Sequence, residues 1–239
     1  MVRLSENVEI EEINPIKKTE QRVVAGFAGI GLVGYSAISH IIKEKSYELK
    51  AVIKSHLIPP MILLIDGKPS PSFTIYSDDA EDTLFVTSNV VVSPENMWIV
   101  GLKLVEWFRK LGVREFVTVE SMLQVVPQGR RPVYGFVVPE RDLSVYGVQT
   151  IKDGAVSGLN AIMLEEAIKG DTPFVNFLVP TSVTSALDLW GALSVVEVLN
   201  KMCNLYVDVS SLEANADMLN PRGQKGKETK DIFGFLRKR

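Results

Sequence analysis

Glycines at positions 29, 31 and 34 form the spacing Gly29-x-Gly31-x-x-Gly34, which can do chemistry between a strand and a helix. Glycines at those intervals bring backbone N–H groups against a phosphate at the helix N-terminus. The dinucleotide form of this device also needs an acidic residue about 20 positions on, where it holds a ribose at the end of the second strand. Here the second strand reads Lys50-Ala51-Val52-Ile53-Lys54-Ser55-His56, and no Asp or Glu ends it. No Gly-Lys-Ser/Thr follows the turn, which excludes a P-loop. The reading that survives is structural: Gly26, Gly29, Gly31 and Gly34 let the chain turn sharply and the helix lie close on its strand. No cofactor is expected there.

Ser157, His56 and Glu120 can be nominated for a catalytic set, but nothing in their spacing connects them. The single cysteine, Cys203, excludes internal disulfides and most cysteine-based metal sites. The two histidines, His40 and His56, leave little material for a zinc centre or a Ser-His-Asp triad. His40 has no second ligand at i+4 and reads as a packed or surface residue. The acidic run Asp78-Asp79-Ala80-Glu81-Asp82 lacks the glycine and glutamate of a calcium loop and reads as a solvated turn. The expectation is a protein with no catalytic residues and no metal.

The elements that position these residues follow an α/β rhythm. Val23 to Phe27 is an apolar strand, and the helix from about Leu32 to Lys45 turns Ile38, Ile41 and Ile42 to the sheet. Asp66-Gly67 between Met61–Ile65 and Ser72–Tyr76 predicts a hairpin of those two runs. Thr83–Ser88 is a strand, and Ser93-Pro94 opens a helix to about Leu111. That helix has two apolar stripes where a surface helix needs one. Met97, Val100, Leu104, Trp107 and Leu111 make the first; Trp98, Leu102, Val105 and Phe108 make the second. The second stripe is either deeper core or a face held for another subunit, and its four residues are the candidate oligomer face. Glu115–Glu120, Val133–Val138 and Gly147–Ile151 are further strands, with Arg130 and Arg131 on a solvated loop before the second. Gly154 to Asn160 turns into a helix that ends at Gly170, and Phe174–Val179 is a buried strand. Pro180-Thr181-Ser182 leads into a long helix to about Cys203, and 208–219 can form a last short one.

At 239 residues and 46% hydrophobic content the chain can bury one large α/β core. A net charge of −3 argues against a general nucleic-acid binder. The first residues carry no signal-peptide core and no apolar run reaches membrane-spanning length, so the expectation is a cytoplasmic protein with no membrane partner. Residues 221–239 hold seven Lys/Arg against two Asp/Glu, a net +5 that separates them from the acidic body. The division expected is an N-terminal arm or edge strand over 1–22, one α/β domain over 23–220, and a flexible basic tail over 221–239. The tail ends in Ile232-Phe233-Gly234-Phe235-Leu236 before Arg237-Lys238-Arg239.

Taken together, Gly26-Phe27-Ala28-Gly29-Ile30-Gly31-Leu32-Val33-Gly34, Gly154-Ala155-Val156-Ser157-Gly158-Leu159-Asn160 and the Thr184-to-Met202 helix with its Ser185-Ala186-Leu187 opening resemble the proteasome assembly chaperone family. The likeness is to archaeal homologues of its second member and covers roughly residues 20 to 220. It implies a three-layer α/β/α sandwich with a mostly parallel mixed sheet, similar to nucleoside phosphorylases. It also implies a homo-oligomer that helps assemble the proteasome core particle from its α subunits, with a paralogous chain as a further candidate partner. Some archaeal members end in a hydrophobic-tyrosine-any motif that inserts into pockets of the α ring; this chain departs from it, with no penultimate tyrosine. Ile232, Phe233, Phe235 and Leu236 are then the candidate docking residues of the tail. The alternative is a nucleoside-phosphorylase-like enzyme, or a small-ligand-binding protein that uses the glycine-rich turn.

Overall fold

Val23, Val24 and Ala25 are fully buried in the strand that enters the glycine turn, as a strand covered on both faces requires. A computed structural model of the protein describes residues 8–65, 67–182 and 187–219. Its elements begin with β1 (Glu9–Glu12), β2 (Arg22–Phe27), α1 (Val33–Lys45) and β3 (Glu48–Lys54). The strands β4 (Ile62–Ile65), β5 (Lys68–Pro71), β6 (Phe73–Ser77) and β7 (Thr83–Ser88) follow, then α2 (Pro94–Lys110). Next come β8 (Glu115–Leu123), β9 (Val133–Val138), β10 (Val148–Thr150) and α3 (Gly158–Lys169). The strand β11 (Phe174–Thr181) and helices α4 (Leu189–Cys203) and α5 (Ser210–Leu219) complete it.

The main sheet is nine-stranded, in the order β1-β3-β6-β7-β2-β8-β11-β9-β10. Its centre, β7-β2-β8-β11, is parallel. Antiparallel pairings join β1, β3 and β6 on one flank and β9 on the other. The expected mixed sheet with a parallel heart is therefore present, and the strand with the glycine turn lies at its middle. Alternate residues feed two cores. Val24, Phe85, Val117 and Val175 face α1, α4 and α5, where Trp190 is fully buried. Val23, Leu84, Phe116 and Phe174 face α2 and α3. The result is three layers.

Three local expectations are corrected. The partner of Ile62–Ile65 is Lys68–Pro71, with Ile65 opposite Lys68, while Phe73–Ser77 leaves to join the main sheet. Lys68–Pro71 holds Pro69 and Pro71, so its sequence carries no strand signal. Proline is tolerated on an edge strand because its missing N–H can face away from the ladder. The last long helix starts at Leu189, not after Pro180. Pro180 and Thr181 finish β11 opposite Met122 and Leu123, and Asp188 caps the helix by accepting from Gly191 N at 3.0 Å. Val183 to Ala186, with the expected Ser185-Ala186 opening, lie outside the described residues. Finally, Arg131 is not solvated. It is buried, and its Nη1 donates to Asp188 Oδ2 and, at 3.4 Å, to Pro180 O. Arg130 beside it pairs at the surface with Glu197 at 2.7 Å and Glu213 at 2.8 Å.

Candidate functional site

The glycines of the central turn divide by role. A Cβ on Gly26 would stand 2.2 Å from the carbonyl oxygen of Gly34, so β2 and α1 touch backbone to backbone. Gly31 sits at φ 64°, the left-handed region where glycine costs least. Gly29 has extended backbone, and a Cβ there would meet nothing within 4 Å. Only the first two roles force glycine. Asp188 N donates to Gly31 O at 2.8 Å and ties the turn to the start of α4.

The turn borders a cavity of about 520 Å³ at the carboxyl ends of β2, β7 and β8. The chain crosses to opposite faces of the sheet after these strands, to α1 from β2 and to α2 from β7, which is where open α/β sheets leave a crevice. Apolar wall comes from Phe27, Val90, Met97 and Leu159, and polar wall from Glu120, Ser157 and Asn160. No Lys, Arg or His stands among the described residues of the wall, so the turn does not read as a phosphate cradle.

Ser157 and Glu120, separated by 37 positions, meet here. The Ser157 hydroxyl donates to Glu120 Oε1, and the Ser157 amide donates to the same oxygen at 3.1 Å. Ser157 stands at the N-cap of α3 yet makes no side-chain cap, because its hydroxyl is turned to the carboxylate. Burial pushes the Glu120 carboxyl above the usual range, opposed by the two Ser157 donors and the Asn176 amide nearby. His56 stays on the exposed segment after β3 and does not line the cavity. Of the three nominated residues, Ser157 and Glu120 come together and His56 does not. Sequence spacing could not find the pair, since it arises from a strand end and a helix start that only the tertiary fold juxtaposes. His40 is a surface partner, with Nε2 donating to Asp208 O at 2.8 Å.

Large exposed apolar side chains gather at the same end of the sheet. β3 runs parallel to β2, since two antiparallel steps and one parallel step separate them. The segments leaving the carboxyl ends of these strands expose Ile30 after β2, Ile62 and Leu64 after β3, and Val91 after β7. Val125 follows β8 and Leu187 follows β11. Leu64 is 74% exposed and Val125 93%. The hairpin β4–β5 forms its own two-stranded sheet, an arrangement that is marginal in water without something to cover it. Sequence reading had no route to this face, because its residues come from segments far apart in the chain.

The second stripe of α2 splits. Trp98 and Leu102 are 49% and 42% exposed, whereas Val105 and Phe108 are 1% and 0% exposed and belong to the core. Val105 and Phe108 are thus removed from the candidate oligomer face. The physical reason is the sheet, where Phe108 packs edge-on against Phe116, together with α3, which crosses α2 so closely that a Cβ on Gly101 would lie 2.9 Å from Ile162 Cγ2. Ile232, Phe233, Phe235 and Leu236 lie outside the described residues. Among the described residues no helix is long and apolar enough to cross a membrane, and no group of His, Cys, Asp and Glu could hold a metal ion.

The PAC2 family model matches residues 23–224. An uncharacterized protein of Methanocaldococcus jannaschii is 27% identical over 221 residues, which is 91% of this chain and 87% of that one. The crystal structure of PbaA of Pyrococcus furiosus, described as an archaeal homolog of proteasome-assembly chaperone, is similar at a TM-score of 0.79 and 26% identity, covering 89% of this chain and 92% of that one. PbaB of the same organism, described as an archaeal proteasome activator, has a TM-score of 0.77 at 21% identity over 89% and 96% of the two chains. At that identity the second likeness speaks for the fold alone.

Proposed function

Because the chain belongs to the PAC2 family, we propose that it is a proteasome assembly chaperone, a homo-oligomeric binding protein that helps build the core particle from its α subunits. The likeness to PbaA supports the client class. The observation that carries the mode of action is the apolar face at the carboxyl end of the sheet, with Val125, Leu64 and Ile62 its most exposed residues. Monomeric proteins rarely leave such residues together without a partner for them. An assembly chaperone holds subunits whose interfaces are not yet buried, and an apolar face is the chemistry that does so. Trp98 and Leu102 on α2 supply a second, separate surface for contact between copies of the chain.

The tail adds a third element to this reading. Ile232, Phe233, Phe235 and Leu236 follow a basic stretch, so charge draws the segment to an acidic surface and the apolar side chains anchor it there. Deleting residues 231–239 tests it. Binding to proteasome α subunits falls at unchanged thermal stability if the segment docks. A lower melting temperature with binding intact means that it packs on its own domain instead.

A further inference from the structure

We propose that the cavity beside the glycine turn binds a small molecule with an apolar body and a cationic donor head, an alkyl- or arylammonium or a guanidinium. This goes beyond the assembly role and does not rest on it. A volume of about 520 Å³ falls within the range of small-molecule sites, roughly 300–1,000 Å³. The walls are apolar, and the polar groups stand together where β8 ends and α3 begins. Their chemistry is one-sided. Glu120 is an acceptor when ionised; the Ser157 amide reaches its Oε2 at 3.4 Å and the Asn176 amide stands nearby, contacts that leave it acceptor capacity. Asn160 is 6% exposed; its Nδ2 donates to Val119 O at 3.3 Å, which leaves the buried Oδ1 with no partner.

The charge of the wall selects the ligand. Glu120 is the one charged side chain among the described wall residues, and with no Lys, Arg or His there an anion finds no side-chain counter-charge. A cation meets a carboxylate that burial has made costly to ionise and whose charge it stabilises. The fold also spares the opening. Gly29 lines the cavity although neither its backbone angles nor its neighbours demand glycine, so a side chain there would narrow the entrance without disturbing the turn.

The test is calorimetric titration of the full chain with benzylammonium, benzyl alcohol and benzoate. Benzylammonium should bind saturably in the millimolar range, benzyl alcohol at least tenfold more weakly, and benzoate not at all. Glu120→Gln, which keeps the size and one acceptor but loses the charge, should weaken benzylammonium by tenfold or more. Gly29→Leu should abolish binding while the melting temperature stays put, and it carries the test should the first variant fail to fold. Benzoate binding as well as benzylammonium, no saturable benzylammonium binding up to tens of millimolar, or binding indifferent to Gly29→Leu would each overturn the proposal.

Discussion

Gly26 and Gly34 meet through their backbones, with the position of an absent Gly26 Cβ only 2.2 Å from the Gly34 carbonyl oxygen. The contact sets how α1 lies on β2 and thereby where the turn and its cavity open. Gly26→Ala must push strand and helix apart at a point where both partners are main chain. The cost expected is about 3 kcal/mol. Gly29→Ala meets no neighbour and should leave stability unchanged or raise it by up to about 1 kcal/mol, through the loss of unfolded-state freedom. Urea denaturation of the two variants measures the contrast. Equal costs would mean that the spacing is read for something other than packing.

Arg131 and Asp188 form an ion pair with both side chains almost fully buried. Asp188 also accepts from Thr181 Oγ1 and caps α4 through Gly191 N. Asp188→Ala leaves a guanidinium buried without its counter-charge, so the expected loss is about 3–5 kcal/mol. Chemical denaturation checks it; a loss below about 1 kcal/mol would show that solvent reaches the site.

Two carboxylates predict opposite responses to acid. Glu166 is held below the usual carboxylate range by its hydrogen bond from Lys169, with Arg109 Nη1 at 2.9 Å adding to it. Its contribution is present above the unfolded range and is lost as pH falls through the lowered folded value. Glu166→Gln should therefore cost about 0.5–1 kcal/mol at pH 7, a gap that closes as pH falls through that lowered value. Glu120 is raised by burial, so its charged form is a cost above its folded value that is relieved as pH falls. Glu120→Gln should leave the melting temperature at pH 7 unchanged or higher. Thermal melts of both variants across pH decide the two signs.

The regular frame was legible in the sequence, while its partnerships were less so. The strand into Gly26, the Ser93-Pro94 helix start and the buried run at Phe174 each carry a local signal of apolar pattern and punctuation. Where a residue's fate depended on another element, the signal failed. Val105 and Phe108 read like Trp98 and Leu102 along the helix, and only packing against the sheet and α3 separates core from surface. Ser157 and Glu120 carry no mutual spacing, since a strand end and a helix start bring them together. Arg131 looked solvated because its partner, Asp188, is 57 positions away.

Self-association through α2 predicts that Trp98→Asp lowers the sedimenting mass. Trp98 is half exposed, so the change should leave the fold within about 0.5 kcal/mol of its original stability. Placed in a dry interface, the same aspartate is an unpaired buried charge and should separate the copies. Analytical ultracentrifugation at micromolar concentration reads the outcome. A variant with the mass of the parent places the contact between copies elsewhere.

The central claim is that this chain is an assembly chaperone for proteasome α subunits, and native mass measurement of the two together tests it most directly. The account predicts a complex of defined stoichiometry at micromolar concentration, weakened tenfold or more when Leu64, 74% exposed on the β4–β5 hairpin, is changed to Lys. Chain and α subunits that keep their separate masses at every mixing ratio would contradict it.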